Sequence, residues 1–122
     1  MGKDVLVIED EPNISEAISF ILSRDGWRVS THANGTDAVA AVVRRSPDLV
    51  ILDVMLPGRS GYDILRDLRA DDRTAALPVL VLTARGQTKD REMAESLGAS
   101  RFMSKPFANA EMLEAVNALV TS

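Results

Sequence analysis

Apolar positions along the chain follow two alternating rhythms. Val5-Leu6-Val7-Ile8, Leu49-Val50-Ile51-Leu52 and Val79-Leu80-Val81-Leu82 are continuously apolar and rich in β-branched residues. That is how strands covered on both faces read. Arg28-Val29-Ser30-Thr31 is partly polar and is expected at a sheet edge; Arg101-Phe102-Met103 is a fifth, weaker run. Between these runs the spacing becomes helical. Ile14, Ala17, Ile18, Ile21 and Leu22 mark one buried stripe, with Pro12 suited to the first turn and Gly26 past the end. A second helix is predicted from about Thr36 to Arg45, with Val39, Val42 and Val43 inward and Pro47 as its stop. A third carries Ile64, Leu65 and Leu68 after Gly61. A fourth, about Lys89 to Leu97, has a thin stripe of Met93, Ala94 and Leu97 before Gly98. The fifth sets Met112, Leu113, Val116, Leu119 and Val120 on one face. Arg69 to Leu77 reads as a loop.

Repeated strand–helix alternation implies an α/β fold with a parallel sheet and helices on both faces. With right-handed crossovers, the expected architecture is a flavodoxin-like, doubly wound, five-stranded parallel sheet in the order 2-1-3-4-5. Such sheets bind ligands outside the carboxyl ends of their strands. The residues that end the strands are therefore where chemistry is expected.

Composition narrows the function classes. A length of 122 residues fits one domain spanning 1–122. Hydrophobic and charged fractions of 46% and 26% are those of an average globular protein. No apolar run approaches membrane-spanning length, and the first residues do not look like a signal peptide. A net charge of −4 and 4% aromatics argue against direct nucleic-acid binding by this domain. Phosphate contacts need a basic surface, and single strands need stacking platforms. The absence of cysteine excludes disulfides, thiolate metal sites and thiol nucleophiles, and it fits a cytoplasmic location.

The first strand runs into Glu9-Asp10-Glu11, the third into Asp53 and the fourth into Thr83; the fifth is followed, after Ser104, by Lys105. Alone, each has an ordinary explanation: an Asp after a strand is commonly a turn or cap, and acids at a helix start complement the dipole. Together they fall in order after four strands of one sheet. Glu9, Asp10 and Asp53 should converge, because the first and third strands are neighbours. Three gathered carboxylates call for a cation. A set of hard oxygen donors with no His or Cys suits Mg²⁺. With Lys105 as a fixed positive charge and Thr83 as a hydroxyl donor, the group makes a plausible phosphoryl site with Asp53 as nucleophile.

At these residues the chain resembles the receiver domain of bacterial two-component response regulators. The resemblance covers nearly the whole chain. It rests on Val7-Ile8-Glu9-Asp10-Glu11-Pro12, Leu52-Asp53-Val54-Met55-Leu56-Pro57-Gly58, Leu82-Thr83-Ala84-Arg85 and Lys105-Pro106-Phe107. It implies that Asp53 accepts a phosphoryl group from a histidine kinase, a phosphotransfer protein or a small donor such as acetyl phosphate. Asp10, Asp53 and the Met55 carbonyl would ligate Mg²⁺, with Glu9 acting through a water. Thr83, Lys105 and the Ala84 amide would bind phosphoryl oxygens, and the Lys105-Pro106 peptide would be cis. Thr83 and Phe102 match the family's switch pair, whose rearrangement alters the surface of the fourth helix, fifth strand and fifth helix. Met55 and Arg85 match positions that tune dephosphorylation. The implied partners are a kinase upstream and, downstream, another protein or an output domain, with the chain a monomer or a phosphorylation-dependent homodimer.

Subgroup cues conflict. Met55-Leu56-Pro57-Gly58 looks like DNA-binding members. Ser100-Arg101 and Ala110-Glu111 depart from the charges that hold those proteins as dimers, and the Asp71-Asp72-Arg73-Thr74 loop looks like standalone or cyclase-linked receivers. Three rival readings remain. A haloacid-dehalogenase-type phosphatase would need an Asp where Met55 stands. A flavin carrier would place its anion against Glu9-Asp10-Glu11, which repels it. A phosphate-independent pseudo-receiver would not need the full acid, Thr and Lys set. His32 is expected at the surface. Phe20, Trp27 and Tyr62 are read as packing residues, and Arg44, Arg45, Arg66 and Arg69 as solvated.

Overall fold

The computed structural model describes residues 3–84 and 88–120. Strands β1 (Asp4–Ile8), β2 (Arg28–His32), β3 (Leu49–Asp53), β4 (Val79–Thr83) and β5 (Arg101–Ser104) alternate with helices α1 (Pro12–Arg24), α2 (Ala38–Arg45), α3 (Gly61–Ala70), α4 (Thr88–Ser96) and α5 (Asn109–Val120). The strands form one sheet in the order β2-β1-β3-β4-β5, every pairing parallel. This is the expected flavodoxin-like, doubly wound architecture. All five residues of β3 and of β4 are buried, as strands covered on both faces require. The partly polar β2 lies at an edge, as expected.

Side chains alternate across the sheet and build two cores. Leu6, Ile8, Val50, Leu52, Val79, Val81 and Phe102 pack with α2, α3 and Ala94 of α4. Val5, Val7, Leu49, Ile51, Leu80, Leu82 and Met103 pack with α1 and α5. Local signals set the helix ends. Pro12 opens α1, and Gly26 takes φ 93° just beyond it. Ser46 closes α2 in the left-handed region, and the Ser60 hydroxyl caps α3 by accepting from the Tyr62 amide at 3.1 Å.

Several expectations need correction. Helix α2 starts at Ala38, and its fully buried stripe is Ala38, Ala41 and Val42; Val39 and Val43 are only partly covered. Ala17 is exposed on α1, and Ala115 joins Met112 and Val116 in the buried face of α5. Phe20 does not pack inward: it is 60% exposed, with the Arg24 guanidinium over its ring. Trp27 is buried and Tyr62 half-buried, as expected. Among the described side chains of α4 only Ala94 is buried, and Met93 is half exposed. His32 is half-buried rather than open to solvent, and its Nε2 lies 2.7 Å from Asp37 Oδ1. Arg69 is not a solvated residue; it is half-buried and hydrogen-bonded to several backbone carbonyls.

Candidate functional site

The register explains why the strand-ending residues meet. Ile8 pairs with Leu52 across β1 and β3, so Glu9 comes level with Asp53. Both are 2% exposed. Asp10 is one residue further and exposed. The three carboxylates offer oxygens that all lie within 4.8 Å of one another. The backbone there is held from both sides. Glu9 N–H donates to the His32 carbonyl, and Val54 N–H to the Leu82 carbonyl, each at 3.0 Å. Gly61 approaches the end of β3 so closely that a Cβ there would collide with the Asp53 carbonyl oxygen. That site has room only for glycine.

Lys105 reaches the carboxylates from just past the end of β5. Its backbone N–H donates to the Thr83 carbonyl at 2.7 Å. Its Nζ lies 2.8 Å from Glu9 Oε1 and 3.1 Å from Asp53 Oδ1, with the side chain 12% exposed. The Lys105-Pro106 peptide is cis. Thr83 ends β4 and is buried beside this rim. Strand alternation sets Thr83 on the same face as Phe102, opposite to that of Asp53. Phe102 is buried at 6% exposure, and the Arg91 guanidinium carbon lies 5.2 Å from its ring centroid. Ala84 follows Thr83 and is exposed, as is Met55 at the mouth of the site. Arg85 lies outside the described residues.

Electrostatics follow from crowding and burial. Desolvation pushes the Glu9 and Asp53 carboxyls above their ordinary range. Hydrogen bonds from Lys105 and from backbone amides oppose this, those amides being Glu11's for Glu9 and Met55's for Asp53. Burial lowers the Lys105 ammonium, but its contacts with Glu9 and Asp53 outweigh burial and hold it above its usual value. A lysine that stays charged between two carboxylates leaves two excess negative charges among these four groups once Asp10 is counted. Oxygen donors only, a residual negative charge and one open side suit Mg²⁺, which takes few carboxylates and keeps waters.

The family model of the response regulator receiver domain matches residues 5–117. The chain belongs to that family. It is 41% identical over 116 residues to the "Probable transcriptional regulatory protein TcrX" of Mycobacterium tuberculosis, covering 95% of this chain and 49% of the relative. It is equally 41% identical to the DNA-binding dual master transcriptional regulator RpaA of Synechocystis, covering 95% and 48%. The chain thus spans about half the length of these curated relatives. Among solved structures it superposes on the receiver domain of the sensor histidine kinase PA1611 from Pseudomonas aeruginosa, with a TM-score of 0.91, 31% identity and full coverage of both chains. That structure has a magnesium ion coordinated in its active-site cleft. Receiver domains are signalling switches of two-component systems rather than enzymes with external substrates, and they bind Mg²⁺ in an acidic pocket. Of these two relatives, RpaA carries a name that places it in the DNA-binding subgroup. Arg101, one of the departures from that subgroup, pairs within the chain with Glu114 at 3.5 Å. Among the described residues no helix is long and apolar enough to cross a membrane.

Proposed function

We propose that residues 1–122 form one receiver domain, a cytoplasmic switch that accepts a phosphoryl group on Asp53. The observation that carries this reading is Asp53 at the end of β3, with Glu9 and Asp10 oxygens within 4.8 Å and Lys105 Nζ at 3.1 Å. Asp10, Asp53 and the Met55 carbonyl would hold Mg²⁺, with Glu9 acting through a water. The ion supplies neutralisation of phosphoryl charge. One Asp53 carboxylate oxygen forms a bond to phosphorus as the donor's bond breaks, releasing acetate from acetyl phosphate or the neutral imidazole of a phosphohistidine. Lys105 stays protonated through this step, supported by Glu9, and faces the phosphoryl oxygens. The Thr83 hydroxyl and the Ala84 amide donate to the same oxygens.

The new acyl phosphate adds charge at the rim and gives Thr83 a strong acceptor. Thr83 and Phe102 share the sheet face that α4 covers, which links this event to α4 and β5; α5, packed on the other face beside Met103, completes the surface that responds. Coupling of this kind is typically about 1–3 kcal/mol. Met55 and Arg85 tune water access and hence self-catalysed dephosphorylation. Upstream stands a sensor histidine kinase or phosphotransfer protein; downstream, another protein or an output domain. The phosphorylated domain is a monomer or a homodimer, with no direct nucleic-acid contact.

Acetyl phosphate with Mg²⁺ should add one base-labile phosphoryl group, read by intact mass, and Asp53→Ala should abolish it. Protein left unmodified would overturn the reading. Steady hydrolysis of p-nitrophenyl phosphate, lost in Asp53→Asn, would replace it with the phosphatase reading.

A further inference from the structure

We infer that Arg69 is a positioning residue that fastens the C-terminal end of α4, so that the helix turns about Gly98. Its consequence for signalling rests on the phosphorylation switch proposed above; the fastening itself does not. Helix α4 is unusual in this fold because apolar burial scarcely holds it. Among its described side chains only Ala94 is buried, and Arg91 lies over Phe102. Its C-terminal end is tied far more firmly. Gly98, at φ 102°, closes a Schellman motif in which its own N–H donates to the Glu95 carbonyl at 3.1 Å and Ala99 N–H to the Ala94 carbonyl at 3.0 Å.

Arg69 lies flat against that turn. A Cβ built on Gly98 would stand 2.8 Å from Arg69 Cγ and 3.0 Å from its Nε. Arg69 Nε donates to the Gly98 carbonyl at 2.8 Å, and its other nitrogens reach the Thr74 and Ala75 carbonyls and Ser100 Oγ at 3.2–3.3 Å. Ser100 Oγ in turn accepts from the Val79 amide at 3.0 Å. No ion pair with a carboxylate holds Arg69 among the described residues. Its partners are carbonyls at the ends of α4 and of the turn after α3, where aligned peptide dipoles favour a cation. One guanidinium therefore ties α3, the turn at residues 71–77, the start of β4 and the end of α4. All of this lies at the opposite end of the strands from Asp53.

Amide hydrogen exchange tests this, with Mg²⁺ and beryllofluoride as the phosphoryl stand-in. In the parent protein, beryllofluoride should change exchange more at Lys89–Met93 than at Leu97–Ser100. In Arg69→Met, exchange at Leu97–Ser100 should rise about tenfold or more, while β1 and β3 keep their rates and acetyl phosphate labels Asp53 at the parental rate. Arg69→Lys, which cannot reach all four acceptors, should fall between. Should Arg69→Met fail to fold, Ser100→Ala should loosen the same amides to a smaller degree. Unchanged exchange at Leu97–Ser100, an equal rise in every element, or a larger beryllofluoride response at the Gly98 end would each overturn the inference. No beryllofluoride response anywhere, with the local rise in Arg69→Met intact, would sink the phosphorylation switch and leave the fastening standing.

Discussion

Replacing Asp53 with asparagine should stabilise the metal-free protein, although it removes the residue that the proposed chemistry needs. Oxygens of Glu9, Asp10 and Asp53 lie within 4.8 Å of one another. At an effective dielectric constant of about 20, like charges at that separation repel by about 3.5 kcal/mol per pair. Lys105, 3.1 Å from Asp53, returns about 5 kcal/mol on the same scale. Asp10 is exposed, so solvent and salt weaken its share. The pairwise charges come close to cancelling, and burial decides the sign. Asp53 is 2% exposed, and desolvation is the largest influence raising its carboxyl above the ordinary range. Hydrogen bonds return part of that cost, and an asparagine carries no charge to desolvate. The expected gain is about 1–3 kcal/mol, or a Tm higher by about 4–10 °C.

Acidification should shrink this difference. With its folded pKa above the unfolded value, Asp53 binds its proton more tightly in the folded protein. The stability that protonation confers is therefore present at low pH and lost as pH rises through the folded pKa. Thermal melts of both proteins in EDTA, near neutral pH and at about pH 5, give the comparison. An asparagine variant that melts at or below the parent near neutral pH would refute the reasoning. So would a difference that widens on acidification.

Two further outcomes follow from the same geometry. Mg²⁺ at ten times its Kd should stabilise the parent protein by about 1.4 kcal/mol, raising Tm by about 4–6 °C. Asp10→Asn should lose most of that rise, and a metal response untouched by the substitution would place the ion elsewhere. Gly61→Ala puts a Cβ against the Asp53 carbonyl oxygen and 2.8 Å from Val54 Cα. It should cost about 1–3 kcal/mol and slow acetyl phosphate labelling by displacing the end of β3. A parental melt together with a parental labelling rate would show that the strand end accommodates the methyl group.

The sequence by itself determined the covered and uncovered faces of the elements, because burial leaves a local periodic trace. Three unbroken apolar runs rich in β-branched residues read as strands hidden on both sides, which calls for helices on both faces of the sheet. The acids and Thr83 stood out because each interrupts an apolar run where the strand reaches the rim. Periodicity says nothing about which distant segments meet. Only the tertiary structure placed Lys105 between Glu9 and Asp53, through the order of β1, β3, β4 and β5. Only packing distinguished Arg69 from Arg66, since both lie on α3 and only one faces the carbonyls of Gly98 and Thr74. Small residues were hard to read for the same reason. Ala38, Ala41 and Ala115 are buried because their helices lie close to the sheet, whereas Phe20 stays outside because, among the described residues, no other element packs over that side of α1. Side-chain character sets what a residue prefers, but contacts between segments far apart in the chain decide whether the preference is met.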